Sequence, residues 1–343
     1  MSDIELRETK KEIEVKVEVR DRLEELIEQY LSALDAKEQT KRVYRSALYI
    51  FAEWIKEVRS KRQEVRGELR REDILEYKNY LQTREFLHEG KTVKKLSSLT
   101  VSSYLVALRG LFAYLEGQKI YPDIAKDIKG MKAPRGFLKN ALSKVEVKML
   151  LESISNHGDT ETQRKEKELD IRDYRDYAMI NLMVRTGLRT IEVVRALIKD
   201  IDHEAGELVL RVQGKGRDTK DEFVILTEES YKLIVEYLQK RGTYKPEEAL
   251  FLAHANRNET GAMTTKSIRR IVRAKLDAVG LRDSKLTAHS LRHTAGTIAL
   301  MNGADIVSVK EMLRHGNVNT TMIYVHNLER LSKGAEKFIN FES

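Results

Sequence analysis

The sequence predicts a mainly α-helical protein with one small antiparallel sheet, arranged as two domains. Apolar residues recur at three- and four-residue spacing in most segments of the chain. Two short strand-like runs, GELVLRVQ and DEFVILT, are separated by a glycine-containing loop typical of a hairpin. The chain has 343 residues. Because one core rarely grows beyond about 250 residues, this length leaves room for two separate cores.

The first domain is predicted as a helical bundle over residues 21–128, after an extension of residues 1–20. In the extension, EIEVKVEV (Glu12–Val19) suits either a short strand or the lead-in to the next helix. Short helices are expected over Asp21–Leu34 and Glu72–Leu81. A long helix with Thr40 as its N-cap carries one apolar stripe: Tyr44, Ala47, Leu48, Phe51, Trp54, Ile55 and Val58. A second long helix, SSLTVSSYLVALRGLFAYLEG, begins in a Ser/Thr cluster suited to capping.

A basic segment, residues 129–142, is predicted as the linker between the domains. Its MKAPRGFLKN stretch contains a proline and a glycine, and residues 129–148 hold six basic side chains against one acidic. Runs of this kind are usually solvated loops. The alternative is a strap that lies along phosphates.

Residues 143–327 are predicted as a second, mostly helical domain, and residues 328–343 as a C-terminal tail. The two strand-like runs supply its sheet, and GKGRDTK forms the hairpin tip. Helices are expected from Ser143 and over Tyr174–Thr186, Glu228–Arg241, Thr264–Val279, Thr287–Met301, Asp305–Leu313 and about Asn319–Tyr324.

Composition narrows the possible functions. There is no cysteine, which excludes disulfides, thiolate zinc sites and cysteine nucleophiles. The 62 basic residues stand against 54 acidic ones, a net charge of +8, so a surface for a polyanion would be local rather than global. The start, MSDIELRETKKE, is unlike a signal peptide, and we find no long uncharged apolar stretch. We therefore expect a cytoplasmic protein with no membrane partner.

Several short motifs carry polar residues that suit chemistry on a phosphate. TGLRTIEV places Arg189 one turn before Glu192, HSLRH places His289 and Arg292 on one helix face, and GKGRD sets Lys215 between glycines. LRHGNVNTTMIYVH then brings His315 and Tyr324. Taken singly, each has an ordinary structural explanation: a surface salt bridge, a partly buried histidine, an exposed turn lysine or a packed tyrosine.

Together and in this order, the motifs resemble the tyrosine recombinases, the lambda-integrase superfamily that includes phage integrases, Xer recombinases and conjugative-transposon integrases. The resemblance covers roughly Leu26 to Phe338. It implies a two-domain clamp on DNA, in which the N-terminal bundle is a SAM-like core-binding domain and the second domain is catalytic. It also implies cleavage of DNA through a 3′-phosphotyrosyl bond that leaves a free 5′-hydroxyl.

The chemistry of such a step gives each polar residue an expected role. Tyr324 would attack the phosphorus, and Arg189 and Arg292 would bind the non-bridging oxygens. Lys215 would protonate the leaving oxygen, while His289 could take the tyrosine proton and His315 could donate to a phosphate oxygen. Glu192 is expected to orient its neighbours. We expect no cofactor and no metal, since the covalent bond stores the energy needed for rejoining and no carboxylate cluster has metal-site spacing.

One position departs from the family pattern. Many members have glycine before the histidine of the second box, whereas Arg314 stands there in this chain. We expect a non-glycine residue to be tolerated if its backbone is helical.

DNA contacts are expected from three places. The helix over Thr264–Val279 contains KSIRRIVRAK, five basic residues and no acidic one in ten positions. The alternative for this helix is a generic basic amphipathic surface. The full set of candidates is Thr100 in the bundle, Lys132, Arg135 and Lys139 in the linker, and Lys266, Arg269, Arg270 and Arg273 on that helix.

The expected partner is double-stranded DNA with inverted-repeat core sites, held by a homotetramer on two sites. When bound to DNA, the protein would be associated with the nucleoid. Family resemblance implies that the C-terminal tail docks on a neighbouring protomer; the alternative is a helix packed on its own chain. Other functions left open are a type IB topoisomerase, a telomere resolvase and a catalytically silent DNA-binding relative. The sequence does not decide between integration or excision of a mobile element and resolution of DNA dimers, or whether accessory proteins take part.

Overall fold

The computed structural model describes residues 22–62, 68–88, 92–132, 141–155, 170–214, 217–254, 261–283, 285–318 and 321–322. The chain divides into two compact units, Met1–Arg135 and Gly136–Ser343. The division falls inside the range 129–142. The extension 1–20, with its alternating segment, and the tail 328–343 lie outside the described residues.

The described part of the first unit is a bundle of four helices: α1 (Leu23–Ala33), α2 (Glu38–Arg62), α3 (Arg71–Thr83) and α4 (Ser98–Gly117). Phe51 of α2 is fully buried and makes edge contacts with Tyr77 of α3 and Phe112 of α4, at centroid distances of 4.9 and 6.3 Å. These rings join three helices in one core. The predicted N-cap at Thr40 was wrong, because α2 begins two residues earlier and Thr40 lies inside it.

A two-stranded antiparallel hairpin precedes α4. It consists of β1 (Glu85–His88) and β2 (Thr92–Lys95), with Glu85 opposite Lys95 and His88 opposite Thr92. We did not predict this hairpin, because the segment EFLHEGKTVKK lacks a regular alternation of apolar and polar residues.

Helix α4 is the most apolar long helix of the first unit. By length and composition alone it could cross a membrane. Seven of its side chains are buried, however, among them Leu108, Leu111 and Phe112, and they belong to the core of the bundle. Its cap is as predicted: the Ser97 hydroxyl accepts a hydrogen bond from the backbone N–H of Thr100 at 3.1 Å. We assign α4 as a core helix of this unit.

The second unit is mostly helical around one small sheet, which confirms the predicted fold class. In the described residues its helices are α5 (Lys144–Ser155), α6 (Ile171–Thr186), α7 (Thr190–Arg195), α8 (Glu228–Arg241), α9 (Thr265–Ala278), α10 (Ala288–Met301) and α11 (Ile306–Leu313). The antiparallel sheet has the order β3 (Ile201–Glu204), β4 (Glu207–Val212), β5 (Glu222–Ile225). The two predicted strands are β4 and β5, and β3 is an additional strand on the other side of β4.

Helix α6 is the centre of the second core. Its Met179, Leu182 and Met183 are fully buried, and it packs against α5, α8 and α10. Because α6 is buried on most of its faces, its C-terminal end is fixed by the surrounding helices. Arg189, the first of the polar residues that we singled out from the sequence, lies just beyond that end.

Candidate active site

The turn between α6 and α7 depends on a glycine. Gly187 ends α6 with φ 62° and ψ 25°, the left-handed conformation that glycine adopts at little cost. A Cβ atom here would lie 2.5 Å from Cδ2 of Leu313, the last residue of α11. The close approach of the ends of α6 and α11 therefore requires glycine at this position.

Arg189 and Glu192 form a closed pair at the start of α7. The backbone N–H of Arg189 donates to Glu192 Oε2 at 2.7 Å, and Nη1 of Arg189 donates to Oε1 at 2.7 Å. Nη2 of Arg189 donates to the carbonyl oxygen of Arg314 at 3.0 Å. The Glu192 side chain has no exposed surface. The pair is thus more than the surface salt bridge that its spacing alone would suggest.

Glu192 remains a carboxylate despite its burial. Burial by itself would raise its pKa, but the charge of Arg314 and the hydrogen bond from the Arg189 backbone outweigh this effect, so the pKa of Glu192 lies below its ordinary value. The carboxylate is therefore a fixed negative charge between two guanidinium groups.

Arg292 is buried within α10 and is only 2% exposed. Its Nη1 donates to the carbonyl oxygen of Gly187 at 2.6 Å, and its Nη2 donates to the carbonyl oxygen of Leu313. These carbonyls belong to the C-terminal ends of α6 and α11, where helix dipoles favour a positive charge. Arg292 therefore joins three helices at one point.

Arg314 follows α11 in a left-handed backbone conformation, with φ 51° and ψ 51°. The condition under which we expected a non-glycine residue to be tolerated, a right-handed helical backbone, is not met, and the position is one where glycine is usually favoured. The Arg314 side chain is only 4% exposed. It turns back into the protein, where Nη1 donates to the carbonyl of Met312 at 2.7 Å and Nη2 donates to Glu192 Oε2 at 2.8 Å.

His315 is half-buried beside these arginines. Its Nδ1 lies 2.9 Å from Oγ1 of Thr321, a fully buried residue, and its backbone N–H donates to the carbonyl of Lys310. Burial lowers the pKa of His315 to about 4. Positive charges act in the same direction, in the order Arg292, Arg189, His293 and Arg314. His315 is therefore an uncharged ring at neutral pH, held by a threonine that we did not assign a role from the sequence.

The remaining predicted residues of the site are His289, Lys215 and Tyr324. His289 is exposed at the start of α10, and its ring makes an edge contact with His293 at 4.7 Å. His289 and Arg292 are one turn apart as predicted, but Arg292 points inward while His289 does not. Lys215 and Tyr324 lie outside the described residues.

Two described segments flank these last two residues. Gly214, directly before Lys215, follows β4, so the lysine belongs to the connection between β4 and β5. Thr321 and Met322 lie in a helical turn, in which the backbone N–H of Met322 donates to Val318 at 2.9 Å. Tyr324 comes two residues after this turn, in the same stretch that anchors His315.

The basic residues of α9 fall into two kinds. Lys266, Arg269 and Arg270 are exposed and make no ion pair or hydrogen bond with other described residues, while Ile268 on the opposite face is buried. Arg273 instead is tied into the fold.

Arg273 donates hydrogen bonds to both a carboxylate and a carbonyl. Its Nε donates to Asp277 at 3.0 Å, and its Nη1 donates to the carbonyl of Asp283 at 2.6 Å. Arg273 therefore differs from its neighbours on α9, although the sequence grouped all four together.

The remaining DNA-binding candidates belong to the first unit or the linker. The Thr100 hydroxyl is 2.8 Å from that of Ser97 in the cap of α4. Lys132 is exposed, and Arg135 and Lys139 lie outside the described residues. Within the described part of the chain, no group of three or more His, Asp or Glu side chains is placed to hold a metal ion.

The chain is similar to proteins of known family. Residues 142–330 match the phage integrase family. The chain is 31% identical over 257 residues to tyrosine recombinase XerC of Leptospira interrogans serogroup Icterohaemorrhagiae serovar copenhageni, covering 74% of this chain and 73% of that one. It is 31% identical over 251 residues to tyrosine recombinase XerH of Helicobacter pylori, covering 70% and 66%.

Solved structures show the same fold. The crystal structure of XerH site-specific recombinase bound to palindromic difH substrate, a post-cleavage complex, superposes with a TM-score of 0.63 at 26% identity. The match covers 86% of this chain and 80% of that one. The chain belongs to the phage integrase family and is a tyrosine site-specific recombinase.

Proposed function

We propose that this chain cuts and rejoins DNA through a covalent bond between Tyr324 and a 3′-phosphate, using the residues gathered around Arg292. One observation carries the proposal: Arg189, Arg292 and His315, from three distant parts of the sequence, are held together where α6 and α11 end. Two guanidinium groups and an uncharged donor suit a phosphodiester and the extra charge of its transition state.

Both arginines are anchored by the protein before DNA binds. A guanidinium has five N–H donors in a planar fork. Arg189 donates to Glu192 and to the Arg314 carbonyl, and Arg292 donates to the carbonyls of Gly187 and Leu313. Their geometry is therefore fixed in advance, which lowers the cost of reorganisation when the phosphate becomes pentacoordinate.

The role of His315 follows from its environment. With a pKa of about 4, the ring is neutral at physiological pH. When the Thr321 hydroxyl donates to Nδ1, the proton of the ring lies on Nε2, which then donates to a phosphate oxygen. This tautomer, with Thr321 as the donor, is the one that we propose for the reaction.

The covalent step is balanced without an external reactant. The Tyr324 oxygen bonds to phosphorus and transfers its proton to His289, while the bond from phosphorus to the 5′ oxygen breaks. Lys215 gives a proton to that leaving oxygen. The reverse attack by a 5′-hydroxyl from another strand restores the DNA backbone and releases Tyr324.

The assembly that we propose follows the relatives. The XerH structures hold DNA substrates, one of them palindromic, which supports double-stranded DNA with inverted-repeat core sites as the partner of this chain. Lys266, Arg269, Arg270 and Lys132 would bind phosphates or base edges. A homotetramer on two sites, joined by the tails 328–343, would carry out strand exchange for the integration or excision of a mobile element or the resolution of DNA dimers.

Trapping the covalent intermediate tests this function. The wild-type chain is incubated with a library of nicked duplexes whose core is randomised, so that cleavage near the nick releases a short strand and prevents rejoining. We expect a covalent DNA–protein adduct with wild type and none with Tyr324→Phe. Tyr231→Phe, a change at an exposed tyrosine of α8, is the control and should retain the adduct.

Each outcome separates the candidate functions. A normal adduct with Tyr324→Phe would show that Tyr324 is not the nucleophile. Relaxation of supercoiled plasmids without site preference would favour topoisomerase activity instead. Binding of DNA with no adduct from any duplex would favour a catalytically silent relative.

A further inference from the structure

Arg314 occupies a position that its backbone makes unfavourable. A left-handed conformation costs a non-glycine residue roughly 1 kcal/mol relative to glycine, and here φ is 51°. Glycine at this position would relieve that strain. The arginine side chain makes contacts that a glycine could not make.

Apart from the bond from Nη1 to the carbonyl of Met312, the hydrogen bonds of this side chain and of its main-chain carbonyl lead to Glu192 and Arg189. The Arg314 side chain reaches across 122 residues of sequence to Glu192, with Nη2 at 2.8 Å from Oε2. The other oxygen of the same carboxylate, Oε1, accepts from Nη1 of Arg189 at 2.7 Å. The main-chain carbonyl of Arg314 accepts from Nη2 of Arg189 at 3.0 Å. The main-chain carbonyl of Arg314 is thus one of the two acceptors of the Arg189 guanidinium. The side chain of Arg314 binds the other acceptor, Glu192.

The charges lead to the same conclusion. Arg189 and Glu192 alone would be a neutral pair, and a neutral pair attracts a phosphate less than a cation does. Arg314 adds a second positive charge to the buried carboxylate, so the cluster of three keeps a net charge of +1. The charge of Arg189 is then available to an anion although its partner is a carboxylate.

We propose that Arg314 is a positioning residue, which fixes the guanidinium of Arg189 and compensates the charge of Glu192 so that Arg189 can bind the scissile phosphate. This inference rests on the proposed function, since it assigns Arg314 a part in that reaction. Arg314 acts through Arg189 and Glu192. Its own side chain is only 4% exposed and does not need to contact DNA.

The test compares three substitutions in the full chain, on a nicked duplex that gives an adduct with wild type. Arg314→Gln removes the charge. We expect adduct formation at saturating DNA to slow by about tenfold to a hundredfold, while the Kd for DNA changes by less than about threefold. Arg314→Lys restores the charge and should recover most of the rate. Arg172→Gln, at an exposed arginine paired with Asp170, should match wild type.

Arg314→Gly separates positioning from a merely structural role. Glycine relieves the backbone strain but removes the side chain that binds Glu192 and Met312. A merely structural role predicts that Arg314→Gly loses stability in urea but, while folded, forms the adduct at the wild-type rate. Positioning predicts a folded variant that is as slow as Arg314→Gln. Urea unfolding of each variant provides the stability measurement.

Two outcomes would overturn the proposal. If Arg314→Gln and Arg314→Gly cleave at the wild-type rate, Arg314 has no positioning role, while the proposed function stands because every protein forms the adduct. If the wild type forms no adduct, the proposed function fails and a crystal structure of Arg314→Gln decides. An Arg189 that keeps both Glu192 and the main-chain carbonyl of residue 314 would overturn the positioning role.

Discussion

The second unit contains two groups of positively charged residues that differ in burial and in hydrogen bonding. Arg292 and Arg314 are nearly inaccessible to solvent and are held by backbone carbonyls or a carboxylate. Lys266, Arg269 and Arg270 on α9 are exposed and have no ion pair or hydrogen bond with other described residues. The buried group can stabilise one geometry of one phosphate, whereas the exposed group can attract a backbone of many phosphates.

The difference teaches that positive charge alone does not identify a function. A buried cation that loses its partners leaves polar groups unsatisfied, so substitutions there should lower both stability and rate. An exposed cation loses little on substitution except its long-range attraction, which salt screens. Arg273 shows that both kinds of cation occur on one helix. It lies on α9 next to the exposed residues, but it donates a hydrogen bond to Asp277.

The largest effect is expected from Arg292→Lys in the buried group. One ammonium cannot reproduce the planar fork that spans the Gly187 and Leu313 carbonyls, so we expect adduct formation to slow by about 10²–10³. Unfolding free energy should fall by about 2 kcal/mol, because at least one buried carbonyl loses its donor. Trapping assays and urea unfolding measure the two effects. Arg172→Lys is the control. Adduct formation at the wild-type rate by Arg292→Lys would show that Arg292 is not part of the site.

A smaller effect is expected from the titration of His315. Its pKa in the folded chain is about 4, below the ordinary value of 6.5. As the pH falls from the higher to the lower value, the unfolded chain binds a proton that the folded chain does not, so stability is lost over this window. The expected loss is about 1–2 kcal/mol after allowance for the partial exposure of the ring.

Urea unfolding at about pH 7.5 and about pH 5 measures this loss. In His315→Gln the difference in stability between the two pH values should shrink by that amount. His203→Gln, at an exposed histidine of β3, should leave the difference unchanged. An equal pH dependence in wild type and His315→Gln would show that His315 titrates normally.

The smallest effect per residue is expected on α9. Each change of Lys266, Arg269 or Arg270 to glutamine should lower the slope of log affinity for DNA against log salt by about 0.9. The cleavage rate at saturating DNA should not change. Fluorescence anisotropy at several salt concentrations measures the slope.

Arg273→Gln is the matched comparison on the same helix. Because Arg273 is held by Asp277 and a loop carbonyl, its substitution should leave the salt slope nearly unchanged and lower stability instead. If Arg273→Gln lowers the salt slope by as much as the exposed residues do, the distinction between the two groups is wrong.

The sequence predicted the elements that depend on local signals. Helix α8 has the bounds Glu228–Arg241 that periodicity indicates, and Thr287 caps α10 as expected, with its hydroxyl accepting from the backbone N–H of His289. The short strands were harder. β3, with the sequence IDHE, and the hairpin of β1 and β2 lack a clear alternation, and their pairing is decided by partners along the chain.

The contacts around Arg189, Arg292 and His315 could not be predicted from the sequence, although the three residues were singled out there. The order of the polar motifs identified the family, yet the burial of Arg292 and the carbonyls that it binds depend on helices far apart in sequence. Nothing local shows that Arg314 has a left-handed backbone or reaches Glu192. The partnership of Thr321 with His315 could have been suspected from its place in the same motif.

The bonds of Arg189 have a consequence for the order in which the chain folds. Its carbonyl acceptor on Arg314 lies 125 residues further along the chain, and Arg292 binds a carbonyl 105 residues before it. Contacts between such distant residues form only after most of the domain has been synthesised and folded. A polypeptide that has not yet reached residue 314 has its first arginine but lacks the carbonyl that holds it. The cluster around Arg189 is therefore assembled late, when the second unit is nearly complete.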